Sequence, residues 1–185
     1  NIKETYKVEN ADIGPLGQQN YGTLENFVIN MQEPLYISSG NLGGTFIWNY
    51  GTIKNGYIYG ENIQILNSIN NVQVGCITQC NITDGKIENV YSLMTTEVET
   101  GDDTYSIGNI VEKNNEYSSI KNVYTTNISS NIKNGPNVPN GSGTVENSYY
   151  FSDKVFTNSS DKNTTKLALK DVDFQNKILN SENAF

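Results

Sequence analysis

Two cysteines four residues apart, four acidic side chains within one loop and a surplus of asparagine and tyrosine are the groups in this chain that could do chemistry. Cys76 and Cys80, in CITQC, invite a disulfide. Read as one strand, the stretch holds their Cα atoms about 13 Å apart at about 3.3 Å per residue, beyond the roughly 7 Å a bridge can span. Two free, packed thiols are therefore expected. Glu97, Glu99, Asp102 and Asp103 offer the hard oxygen ligands that calcium takes. They lack EF-hand spacing and the glycine-aspartate repeat of calcium-binding β-rolls, so a solvated charge run is the expectation. Tyrosine faces and asparagine amides suit a sugar, but the same side chains can serve the chain's own packing. The triplets at Asn81, Asn127, Asn158 and Asn163 match the glycosylation pattern, as chance predicts in a chain so rich in Asn, Ser and Thr.

What is missing narrows the chemistry further. The chain contains neither histidine nor arginine, so the HExxH centre of a zinc peptidase cannot be assembled from it. A β-helix glycan-cleaving enzyme needs carboxylates converging beside a strong cation, and no lysine stands beside paired carboxylates at a repeated position. Twelve lysines scattered through a chain of net charge −8 do not make a phosphate-tracking surface, which argues against nucleic acid. No apolar run is long enough to span a bilayer, so no membrane insertion is expected. The chain starts at Asn1 with no initiator Met and no signal region, and reads as a piece of a larger protein. No catalytic, cofactor-binding or metal-ligating residue is assigned, and the fragment itself is expected to be non-catalytic.

The elements that position these side chains announce themselves by repetition. GTLEN, GTIKN, GKIEN, SSIKN and GTVEN end at Asn26, Asn55, Asn89, Asn122 and Asn147, at spacings of 29, 34, 33 and 25 residues. Internal repetition outranks other readings of a sequence. Each phrase carries an aliphatic residue two before its asparagine (Leu24, Ile53, Ile87, Ile120, Val145). From the second copy on, a tyrosine stands two after it (Tyr57, Tyr91, Tyr124, Tyr149). That period of two is a strand period. Strands stacked about 4.8 Å apart would bury each other's apolar faces, the aliphatics forming one internal column, the tyrosines another and the asparagines a third, each amide bonding to the next.

A second element precedes four of the phrases: an aliphatic residue and a glycine, an apolar stretch, then an asparagine six residues after that glycine. The pairs are Gly14 and Asn20, Gly43 and Asn49, Gly75 and Asn81, and Gly108 and Asn114. Glycine there predicts a tight turn where a Cβ would be in the way. A glycine-led strand, an asparagine-centred strand and a variable third side make one rung of about thirty residues. The expected fold is all-β, a right-handed parallel β-helix of about five rungs. Residues 1–12 form an incomplete first rung, residues 13–155 the repeats, and residues 156–185 a loop and a C-terminal helical cap or hinge. From Thr165 the strand pattern gives way to an apolar stripe of Val172, Phe174, Ile178 and Leu179 behind a candidate N-cap at Asp171.

The pattern of Ile13 to Tyr150 resembles the GLUG-type repeat of bacterial surface proteins. Together with YYFSDKVFTN and the ending LALKDVDFQNKILNSENAF, it is similar to the non-catalytic N-terminal region of the immunoglobulin A1 protease family. That resemblance implies a secreted or cell-wall-attached Gram-positive zinc metallopeptidase whose zinc lies in a catalytic part elsewhere. This chain would then be a rigid accessory module that holds the catalytic part off the wall and helps position a host glycoprotein such as immunoglobulin A1 or mucin, alongside neighbouring domains of the same polypeptide. The alternative is a glycan- or protein-binding module of a surface adhesin.

Overall fold

The structure, a computed structural model, describes residues 6–8, 11–66, 71–98, 105–126, 137–151 and 164–167. Strand β1 (Tyr6–Val8) leads into three complete turns. The first is β2 (Ala11–Ile13), β3 (Gly17–Asn20), β4 (Thr23–Met31) and β5 (Leu35–Ile37). The second is β6 (Gly40–Gly43), β7 (Phe46–Asn49), β8 (Thr52–Gly60) and β9 (Ile63–Ile65). The third is β10 (Val72–Gly75), β11 (Thr78–Asn81), β12 (Lys86–Ser92) and β13 (Thr96–Val98). Then follow β14 (Tyr105–Gly108), β15 (Val111–Asn114), β16 (Ser119–Thr125), β17 (Asn140–Gly141), β18 (Thr144–Phe151) and β19 (Thr164–Leu167). Equivalent strands of successive turns pair in parallel, giving four sheets: β1-β5-β9-β13, β2-β6-β10-β14, β3-β7-β11-β15-β17 and β4-β8-β12-β16-β18-β19. The chain is an all-β parallel solenoid, and no helix occurs among the described residues.

Each turn has four sides where the sequence pattern predicts three. The glycine-led stretch is two short strands, such as β6 and β7, separated by a corner. Gly43, Gly75 and Gly108 stand at that corner in register. A Cβ on them would lie 1.8, 1.8 and 1.7 Å from the carbonyl oxygens of Phe46, Thr78 and Val111. No side chain fits there, which is why the glycine recurs. The corner also corrects the reading of CITQC as a single strand: Cys76 lies in the corner between β10 and β11, and Cys80 in β11.

The aliphatic column forms as the repeat predicts. Leu24, Ile53, Ile87, Ile120 and Val145 are direct register partners, and Ile53 and Ile87 are fully buried. They join Leu42, Val74 and Ile107 from the glycine-led sheet and Leu35, Ile37, Ile63 and Ile65 from the β1-β5-β9-β13 sheet in one core. Burying an isoleucine side chain contributes about 1.5–3 kcal/mol, and in a solenoid each contribution depends on the neighbouring turn being present.

Asn137 continues the corner column of Thr45, Ile77 and Ile110 into the next turn. Its carbonyl oxygen accepts the Ile110 and Val111 amides. Its side chain accepts from Thr125 Oγ1 at 2.7 Å and donates to Ser148 Oγ at 2.9 Å and Tyr149 O at 2.8 Å. The tail departs from its expected form in one place: Thr164–Leu167 is a strand that extends the longest sheet by pairing with Ser148–Phe151. The helical stripe from Asp171 to Leu179 lies outside the described residues.

Candidate functional site

The repeated asparagines make two separate ladders. Asn26, Asn55, Asn89, Asn122 and Asn147 all have φ between 51° and 54°, the left-handed conformation that asparagine tolerates best after glycine. Each bends its strand, and the side chains stack. Asn147 Nδ2 donates to Asn122 Oδ1 at 2.8 Å, Asn122 to Asn89 at 2.9 Å, and Asn89 to Asn55 at 3.0 Å. The second ladder is buried. Asn20 Nδ2 donates to Asn49 Oδ1 at 2.7 Å, Asn49 to Asn81 at 2.8 Å, and Asn81 to Asn114 at 2.9 Å. Its amide groups also donate to corner carbonyls, Asn81 to Gly85 O at 3.0 Å for example, which sets their orientation. The two ladders therefore run in opposite senses, one donating toward the C-terminal turns and the other toward the N-terminal turns, so their amide dipoles oppose each other. In the fourth phrase serine replaces glycine, and Ser118 Oγ lies 2.7 Å from Asn114 Oδ1, joining the ladder.

The left-handed asparagine also decides where the tyrosines go. It shifts the alternation by one residue, so Gly56, Val90 and Val123, each one after its asparagine, face the interior and are buried. Tyr57, Tyr91, Tyr124 and Tyr149 form a column in register, but on the outer face of the sheet, outside the core cluster. Tyr91 and Tyr124 pack with ring centroids 4.2 Å apart. Burial raises both phenol pKa values, and the neighbouring Tyr124 raises that of Tyr91 further. On the same outer face Glu25, Lys54, Glu88, Lys121 and Glu146 alternate in sign from turn to turn. Lys54 pairs with Glu25 at 3.0 Å and Lys121 with Glu146 at 3.8 Å. Such exposed pairs contribute about 0–1 kcal/mol each; like charges in that column would repel at strand spacing.

Where the second strand of each turn meets the third, the corner after the buried asparagine carries the most exposed aromatic of the first two turns. Tyr21 is 71% exposed and stacks on Tyr50 with ring centroids 4.8 Å apart and planes 10° from parallel. The Tyr21 hydroxyl donates to Gln19 Oε1 at 2.7 Å, which draws its ring to the side where Gln19 stands in register with Trp48. In later turns the corner lengthens to Ile82–Asp84 and Asn115–Tyr117, and the stack ends.

The residues singled out from sequence are not brought together. Glu97 is exposed and accepts from Asn62 Nδ2 at 2.8 Å, while Glu99, Asp102 and Asp103 lie outside the described residues. Among the described residues no group of three or more His, Cys, Asp or Glu side chains gathers as metal ligands would. Asn81 is fully buried within its ladder, so its triplet is closed to modification in the fold; Asn127, Asn158 and Asn163 lie outside the described residues. Both cysteines are free. Burial pushes the Cys76 thiol up to about 11, against smaller lowering contributions from Thr96 and Ser92. It pushes Cys80 up to about 11 as well, with Lys113 lowering and Glu112 raising it.

Sequence reading missed a polar cluster built from residues that do not repeat. The Glu112 carboxylate, only 3% exposed, accepts from Gln79 Nε2 at 3.0 Å, Ser106 Oγ at 2.8 Å and Asn140 Nδ2 at 2.6 Å. Gln79 Nε2 also donates to Gln73 Oε1 at 3.1 Å. A second polar feature sits beside Cys76: Asn109 is fully buried, and its Nδ2 has no hydrogen-bond partner. Comparison of the chain with protein-family models, curated proteins and solved structures finds no match.

Proposed function

We propose that this solenoid is a non-catalytic module of a large secreted or cell-wall-attached bacterial zinc metalloendopeptidase resembling the immunoglobulin A1 proteases. It acts there as a rigid spacer that holds the catalytic part away from the wall and helps position a glycoprotein substrate. The observation that carries this reading is where the repeated side chains are spent. The asparagine amides bond to one another turn after turn, the aliphatics fill the core, and lysines and glutamates alternate on one face. A body built this way is stiff along its axis, each turn adding about 4.8 Å, and stiffness is what a spacer supplies. The same reading takes the winding as right-handed, counts about five rungs and places a helical cap or hinge after residue 155. Zinc belongs to a catalytic part elsewhere in the polypeptide, and the partners are its neighbouring domains and a host glycoprotein such as immunoglobulin A1 or mucin. The test uses the intact protein that carries this solenoid, purified and assayed for zinc and for cleavage of immunoglobulin A1. One zinc per molecule and a cleaved immunoglobulin support the reading. An intact protein that holds no zinc and cleaves nothing, yet retains mucin, belongs with the adhesins and overturns it.

A further inference from the structure

We infer that the corner formed by Gln19, Tyr21, Trp48 and Tyr50 is a binding site for a neutral oligosaccharide. The inference deepens the reading of the solenoid as a substrate-positioning module, and rests on it only for where the glycan comes from. Three observations meet at this corner. The first is exposure with order: Tyr21 is 71% exposed, and its ring is held by the 4.8 Å stack on Tyr50 and by its hydroxyl bond to Gln19. A pre-ordered aromatic face loses little conformational entropy on binding. The second is composition. The only tryptophan of the chain stands in register with Gln19, so aromatic faces adjoin the Gln19 amide. Ring faces pack against the C–H face of a pyranose, while amides donate to and accept from its hydroxyls. The third is charge. In a chain of net charge −8, no charged residue occurs between Asp12 and Glu25 or between Glu33 and Lys54. The corner itself contributes no charged side chain, and the charges nearest it belong to the next turn, where Lys86 stands in register with Thr52. With nothing of its own to pair with a charged sugar or peptide on an acidic protein, the corner takes an uncharged occupant. The third and fourth turns, which bring Asp84 and Lys86, then Lys113 and Glu116, to the equivalent corner, lack this character.

Trp48, as the sole tryptophan, reports on the site directly. Its emission is titrated with lactose, chitotriose and sialyllactose, with isothermal calorimetry in parallel. The expected result is a saturable change with at least one neutral sugar and a weaker response to sialyllactose than to lactose. Tyr21→Ala, which removes an exposed side chain and leaves the melting temperature in place, weakens the neutral sugar about tenfold, equivalent to about 1.4 kcal/mol. Tyr117→Asn, at an exposed tyrosine of the fourth turn, leaves it unchanged. No change in emission and no heat with any of the three sugars, equal loss from both substitutions, or tighter binding of sialyllactose than of lactose would each overturn the site. None of these outcomes touches the zinc and cleavage assay, so the corner and the spacer reading fail separately.

Discussion

Asn89 combines a left-handed backbone with an amide that bonds to the turns on either side. Alanine can do neither, and glycine can do only the first. Asn89→Ala is expected to lower the unfolding free energy in urea by about 2–3 kcal/mol, and Asn89→Gly by about 1 kcal/mol; equal costs would show that the backbone conformation contributes nothing. This double demand on one residue type is why the phrase is legible in sequence at all, since no other side chain replaces it in five copies. The side on which the tyrosines sit was not legible. Counting by twos assumes an unbroken strand, and the left-handed residue that resets the count shows only in φ. Cys76 makes a second prediction at this scale. Its thiol titrates at about 11 in the fold against 9.0 for an ordinary cysteine. Between those values the unfolded chain has released a proton that the folded one keeps. Stability is therefore unaffected below about pH 9 and falls as pH rises toward 11, by about 1.4 kcal/mol per pH unit. Urea curves at pH 8 and 10 should differ less in Cys76→Ala than in the natural chain, and an identical pH dependence would refute the buried thiol.

At the scale of the element, the corner glycine and the buried Asn137 set how one turn is joined to the next. Gly75→Ala drives a methyl group into Thr78 O and toward Gln79 Cα, both backbone, so the corner cannot give way through a side-chain rotation. A loss of about 3 kcal/mol or more is expected, read as a fall in melting temperature; an unchanged melt would contradict the corner geometry. Asn137→Ala removes three buried side-chain bonds, to Thr125 Oγ1, Ser148 Oγ and Tyr149 O. A cost of about 2–4 kcal/mol is expected, with amide exchange rising first in β16 and β18. Uniform loss of protection through all turns would mean Asn137 does not tie β16 to β18. The recurring aliphatic-glycine pair was visible in sequence because it repeats, but its division into two strands was not: a two-residue corner is too short to interrupt an apolar run. Glu112, Gln79, Ser106 and Asn140 were invisible for the opposite reason, since they occur once each and meet only when neighbouring turns are stacked.

For the whole molecule, stacking in register is the property on which the core depends, and with it the proposed spacer and sugar-binding corner. Alternating charges on the outer face and opposed amide ladders within each turn let an acidic chain keep like groups at strand spacing without net repulsion along a column. The ladders allow a direct measurement. Nuclear magnetic resonance of the folded chain, with its asparagine side chains assigned, should show the amide protons of Asn49 and Asn81 exchanging slowly and giving nuclear Overhauser effects to the side chains of Asn81 and Asn114, respectively. Fast-exchanging side-chain amides with no contact from one asparagine to the next would contradict the stacked solenoid itself.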